Sequence, residues 1–208
     1  MGIPVIIYGK SGAGKSRSLI NFKEDEIYLV NVISKPLPFK GKFKYTTKTD
    51  DPSVIMSGLS MMRDKGIKTA VVDDFGYVMT NMFMRGHGSG DQFKLFNNIG
   101  DAVWNLINFI QSPAVAPDVI VYLIMHEDIA DDGSNKLRTI GKLLDQKVCI
   151  EGMCTVVLHA VIKGDRHLFE TQSNGATIAK SPEGMFGDVE IENDLKVVDE
   201  AIRKYWNV

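Results

Sequence analysis

The chain has 208 residues, 44% of them hydrophobic and 24% charged, with a formal net charge of -2. That length suits a single domain over residues 1–208 with a full core, and the composition excludes disorder as the default. The near-neutral balance excludes a global basic field, so a polyanion would have to meet a local patch.

Residues 3–8 form a short Ile- and Val-rich run ending at glycine, which reads as a buried parallel strand, and a helix is expected to start over residues 15–22. A second strand is expected at 27–33, stopped by Lys35-Pro36-Leu37-Pro38, because proline removes a ladder donor. A short strand at 43–46 follows. Asp51-Pro52-Ser53 then opens a helix whose apolar stripe is Ile55, Met56, Leu59 and Met62, ending at Gly66. The third main strand is expected at 68–73, with a helix at 75–85 and a glycine-rich loop at 86–90.

From Gln92, apolar residues recur at spacings of three and four up to Ile110, which predicts a long amphipathic helix closed by Pro113. A fourth strand is expected at 119–125, a polar loop at 127–136 and a helix at 140–148. Residues 155–162 and 167–171 read as an antiparallel pair, 174–187 as irregular, and 193–206 as a closing helix with an Asn-Asp cap. Strands alternating with helices, then a hairpin, predict an α/β fold with a mostly parallel sheet, helices on both faces and a C-terminal antiparallel extension. The chain enters its first strand at once, without a basic leader region, and no apolar run approaches the roughly 20 residues of a spanning helix. Cys149 and Cys154 lack metal-ligand spacing, so both are expected to be buried, reduced thiols of a cytoplasmic protein without a membrane partner.

Gly9-Lys10-Ser11-Gly12-Ala13-Gly14-Lys15-Ser16 lies between a strand and a helix, where successive backbone N–H groups converge on phosphate oxygens. It predicts a site for ATP, with GTP second. Lys15 would meet the β- and γ-phosphates, Ser16 would ligate Mg2+, and Arg17 borders the loop. Such a site needs a carboxylate at a strand end, and Ala70-Val71-Val72-Asp73-Asp74 supplies it. Asp73 is the magnesium-side residue. Asp74 is either the group that orients or deprotonates the attacking water, or an acid at a helix N-terminus. His126, ending the fourth strand, is either a γ-phosphate sensor or a structural histidine.

On these motifs the chain resembles the RecA-like class of P-loop ATPases. More narrowly, it is similar to small phage-encoded ATP-binding proteins, including the Sak-type RecA-core annealing proteins. Ser34 to Phe39, Val72 to Phe75, Thr139 to Lys142 and Ala179 to Pro182 carry the likeness along nearly the whole chain. The resemblance implies a RecA-like core, ATP hydrolysis, homo-oligomers with sites at subunit interfaces, and a role in phage DNA recombination or replication in the host cytoplasm. Single-stranded DNA and a single-strand-binding protein are the partners it implies. Residues 30–39 carry no glutamate at the place where a RecA recombinase keeps its base.

Arg138, Lys142 and Lys180 are each either a cation acting in trans to complete a neighbour's site or a solvated surface charge. For DNA, the loops 85–90 and 127–138 are candidates, and Lys35, Lys40, Lys42, Lys44 and Lys48 interleaved with Phe39, Phe43 and Tyr45 form the stronger basic-aromatic stretch. Two other function classes stay open: a P-loop small-molecule kinase, and an ATP-switched interaction protein with slow hydrolysis.

Overall fold

A computed structural model describes residues 1–88, 90–141, 144 and 148–208. Among these, nine strands form one sheet: β1 (Ile3–Gly9), β2 (Ile27–Asn31), β3 (Tyr45–Thr47), β4 (Thr69–Asp73), β5 (Ile120–Ile129), β6 (Asn135–Leu137), β7 (Val156–Lys163), β8 (Arg166–Glu170) and β9 (Glu190–Glu192). Four α-helices with described bounds accompany them: α1 (Pro52–Ser60), α2 (Gly76–Gly86), α3 (Gln92–Ile110) and α4 (Leu195–Trp206). The strand order is β3-β2-β4-β5-β1-β7-β8-β9, with β6 paired to β5 off this path. All neighbours from β3 to β7 are parallel, and β7-β8-β9 is antiparallel. The fold is therefore α/β with a mostly parallel sheet and a C-terminal antiparallel hairpin.

The central strands are buried on both faces because alternate residues feed two cores. Ile6, Tyr8, Val30 and Val72 pack with residues of α1, α2 and α3, while Val5, Ile7, Leu29 and Val71 pack with Leu195, Val198 and Ile202 of α4. Helices thus cover both faces, and the near-continuous apolar runs seen in the sequence have this cause.

Several expectations are corrected. The stretch expected to start a helix at 15–22 is a six-residue 3-10 turn, Ser16–Asn21. Ser18 explains part of this, since its hydroxyl donates to the Lys15 carbonyl oxygen at 2.6 Å and so competes with helical bonding. The polar loop expected at 127–136 is instead a hairpin, because β5 runs on to Ile129 and pairs Glu127 with Leu137. A short strand, β9, forms the antiparallel edge between the irregular stretch and the closing helix, where no element was expected. Most of the helix expected at 140–148 lies outside the described residues. Cys154 is buried, and burial pushes its thiol up to about 12, but Cys149 is exposed.

No helix among the described residues is long and apolar enough to cross a membrane. At the end of the sheet opposite the glycine-rich turn, Asp199 of α4 accepts from Tyr122 at 3.0 Å, Thr69 at 3.1 Å and Arg203 at 2.7 Å. Arg203 also donates to the carbonyl oxygens of Asp118 and Lys68, each at 2.8 Å, and so ties α4 to two strand entrances. Arg203→Ala leaves Asp199 buried without its cation and is expected to cost about 3 kcal/mol, read as a lower urea midpoint at constant slope.

Candidate functional site

The parallel register sets the site. Gly9 lies opposite His126, and Asn31 opposite Asp73, so β1, β2, β4 and β5 deliver their C-terminal ends to one edge of the sheet. β5 stands between β1 and β4. The turn after β1 therefore faces Asp73 and Asp74 across one strand, and open α/β sheets bind ligands at such an edge.

Glycine is required in the turn for two separate reasons. A Cβ on Gly9 would lie 2.3 Å from the Ala160 carbonyl oxygen, and Gly14 adopts φ +92 with His167 Nδ1 and Asn193 Oδ1 within 2.9 and 3.0 Å of where its Cβ would be. Inside the turn, Lys15 Nζ donates to the carbonyl oxygens of Gly9 at 2.8 Å and Lys10 at 2.7 Å. Burial pulls the Lys15 ammonium down to about 8, and the nearby Lys35 charge adds to this against the opposite pull of Asp74 and Asp73. Ser16 Oγ donates to Asp73 Oδ1 at 2.7 Å. Burial and the charge of Asp74 raise the Asp73 carboxyl above its usual range despite that bond.

Asp74 follows directly in the left-handed region, at φ 60, uncommon for a residue with a side chain. Its side chain does not cap α2, whose first turn has no side-chain cap. It forms an ion pair with Lys35 and stands 3.6 Å from His126 Nε2. Burial raises the Asp74 carboxyl, but His126 and Lys35 more than offset it, and the group is held below the usual carboxylate range. His126 is also packed edge-on against Tyr77, with centroids 6.2 Å apart.

A cleft of about 400 Å³ runs along this edge, bounded by Ser11, Gly12 and Gly14 to Arg17 of the turn, by Lys35, Pro36 and Pro38, and by Asp74, His126 and His167. A second hollow adjoins it beyond Lys10 and Ser11, where Lys35, Asp74, His126, Glu127 and Arg138 meet. Among the described residues no three His, Cys, Asp or Glu side chains gather to hold a metal by themselves. Ser16 and Asp73 do offer a hydroxyl and a carboxylate, the pairing that magnesium takes directly and through water when it shares its coordination with phosphate oxygens.

The structure brings Lys15, Ser16, Asp73, Asp74 and His126 together, with Lys10, Ser11, Gly12, Ala13 and Arg17 completing the turn. Arg138 borders the second hollow of its own chain. Lys180 is placed by a backbone bridge to Val157, outside the residues that bound either hollow. Lys142 lies outside the described residues.

The basic-aromatic stretch is rearranged. Phe43 is buried, Phe39 packs on the same core, and Lys44 and Lys65 lie 5.2 and 5.1 Å from the Tyr45 ring centroid. Phe43 and Phe39 thus anchor the loop, while Tyr45 stays partly exposed. Lys35, expected in that stretch, belongs to the cleft. The two candidate DNA loops carry acid partners, Arg85 pairing with Asp50 at 2.6 Å and Arg138 lying 4.0 Å from Asp128.

One cluster gave no sequence signal beyond the alternation of β7. His159 is buried between two carboxylates, with Nε2 2.7 Å from Glu127 Oε2 and Nδ1 2.9 Å from Glu170 Oε2, and it stacks on Tyr8 at 4.5 Å. Glu127 in turn lies 4.0 Å from Lys10 Nζ, so this cluster connects the glycine-rich turn to the C-terminal hairpin. A scan of protein-family models finds no match to the chain, and no curated protein matches it.

Proposed function

We propose that the chain is a RecA-like, magnesium-dependent ATP-binding protein and ATPase. The observation that carries this reading is the Ser16–Asp73 contact of 2.7 Å beside Lys15, with the hydroxyl, the carboxylate and the ammonium delivered by two strands to one glycine-rich turn. The strand order supports it, since β5 inserted between β1 and β4 puts His126 beside Asp74 at the edge where a terminal phosphate would end. The 3-10 turn after the loop is too short for a strong dipole, so loop N–H groups and Lys15 carry phosphate binding. Lys15 leaves the carbonyls of Gly9 and Lys10 for the β- and γ-phosphates. Ser16 and Asp73 would hold magnesium, which supplies positive charge to the phosphate oxygens.

A role with single-stranded DNA in phage recombination or replication, as a homo-oligomer, is the biological setting proposed on the sequence resemblance. An ATP-switched interaction protein with slow turnover is the second reading, and the ion pair occupying Asp74 favours it. Nucleotide turnover measured with and without single-stranded DNA separates these. ATP hydrolysis stimulated by DNA supports the first. Tight ATP binding with negligible turnover under both conditions supports the second, and ADP release only with a phosphate acceptor marks a kinase. Failure to bind either ATP or GTP with magnesium overturns the nucleotide reading.

A further inference from the structure

Lys35 is held at the cleft by its backbone rather than by its side chain. After β2 the Val32 amide donates to the Asp73 carbonyl oxygen at 3.3 Å, Ser34 turns the chain at φ 57, and Asn31 Nδ2 donates to the Lys35 carbonyl oxygen at 2.7 Å. Pro36 and Pro38 then fix the exit and themselves border the cleft. The ammonium reaches back to Asp74, from a side chain 40% exposed to a carboxylate only 3% exposed. Lys35 borders both the cleft along the glycine-rich turn and the hollow beyond it, and thus stands between them.

We infer that Lys35 is the cation, supplied from the same chain, that engages the terminal phosphate of a bound nucleoside triphosphate, and that its transfer to that phosphate frees Asp74 for the attacking water. This rests on the nucleotide reading above. A triphosphate carries more charge at its terminal group than one carboxylate, so it competes for a flexible, half-exposed ammonium. While Lys35 stays on Asp74, the ammonium occupies the carboxylate oxygen that would otherwise hold a water. Once released, that oxygen accepts a hydrogen bond from the water whose oxygen bonds to the γ-phosphorus, and the water's proton passes to the phosphate that forms. The bond from that phosphorus to the bridging oxygen breaks, and the nucleoside diphosphate leaves with the electron pair. A diphosphate lacks the group that draws Lys35 away, so the pair reforms with product bound.

The test is affinity for magnesium-ATP and magnesium-ADP by calorimetry, with single-turnover hydrolysis, on wild type, Lys35→Ala, Lys35→Arg and Asp74→Asn. Lys35→Ala is expected to weaken ATP at least fivefold, to leave ADP within twofold, and to slow the chemical step about a hundredfold. Lys35→Arg recovers part of both losses. Asp74→Asn keeps the cation and removes its competitor, so it binds ATP more tightly than wild type while hydrolysing it more slowly, and it does not depend on Lys35→Ala remaining folded. Equal losses for ATP and ADP in Lys35→Ala, an unchanged chemical step, or no tightening in Asp74→Asn overturns the inference while leaving the nucleotide reading standing. A wild-type protein that binds neither nucleotide removes that reading, and the inference with it.

Discussion

Lys15→Met is expected to lower ATP turnover by about a thousandfold or more while leaving the protein folded. The turnover loss follows from the position of Nζ, which reaches into the turn between the Gly9 and Lys10 carbonyls, a place that the Lys35 ammonium on Asp74 does not fill. Stability is a separate matter. The fold keeps this ammonium charged at neutral pH although burial has pulled it from 10.5 to about 8. At about 1.4 kcal/mol per pKa unit, that is a cost on the order of 3 kcal/mol. Removing the lysine relieves it, whereas leaving the Gly9 and Lys10 carbonyls without their donor takes back about 1–3 kcal/mol. The variant should therefore unfold within about 2 kcal/mol of wild type.

The same lysine predicts a pH dependence whose sign can be worked through. Between the folded value of about 8 and the unfolded 10.5, the unfolded chain holds a proton that the folded chain has lost. Stability of the wild type therefore rises with pH across that window, and Lys15→Met lacks the rise. Nucleotide affinity moves the other way. On the proposed nucleotide reading the charged ammonium binds phosphate, so above about 8 binding must take up a proton, and Kd for magnesium-ATP should increase by up to about tenfold per pH unit. Urea unfolding and calorimetry at several pH values check the two trends, and a flat Kd up to pH 10 would remove Lys15 from phosphate binding.

How much of this was legible beforehand varies with the range of the interaction. The strand before the glycine-rich turn and Asp73 at the end of an apolar run are local patterns, and both stand where the sequence put them. The 3-10 turn at Ser16–Asn21 was misread because serines and Asn21 compete with helical bonding in a way that apolar periodicity does not register. The polarity of Glu127 and Asp128 signalled a loop, yet a strand pairing antiparallel to β6 can carry acids at its ends. The pairing of Lys35 with Asp74 left no sequence signal for a different reason. It depends on β2 and β4 lying side by side with Asn31 opposite Asp73, and that register is a tertiary fact. The Glu127–His159–Glu170 cluster joins three strands and is invisible for the same reason.

Asp73→Asn is expected to abolish magnesium-stimulated turnover, again by about a thousandfold, while keeping the shape of the site. Asparagine retains an oxygen to accept from Ser16 Oγ at the 2.7 Å position, so the geometry of the turn survives. What disappears is the negative charge. Burial and Asp74 already hold the Asp73 carboxyl above its ordinary range, which means the folded chain binds a proton there more tightly than the unfolded chain does. The stability this gives is fully present below the unfolded value of 3.8 and is lost as pH rises through the folded one. At neutral pH the buried charge is thus a burden on the fold, and Asp73→Asn should unfold no more easily than wild type and should lack that acid-side loss. The variant should bind ATP without magnesium as wild type does, and adding the ion should no longer tighten it. An Asp73→Asn protein whose ATP affinity still responds fully to magnesium would show that the cation is held elsewhere and that the Ser16–Asp73 contact is a structural hydrogen bond.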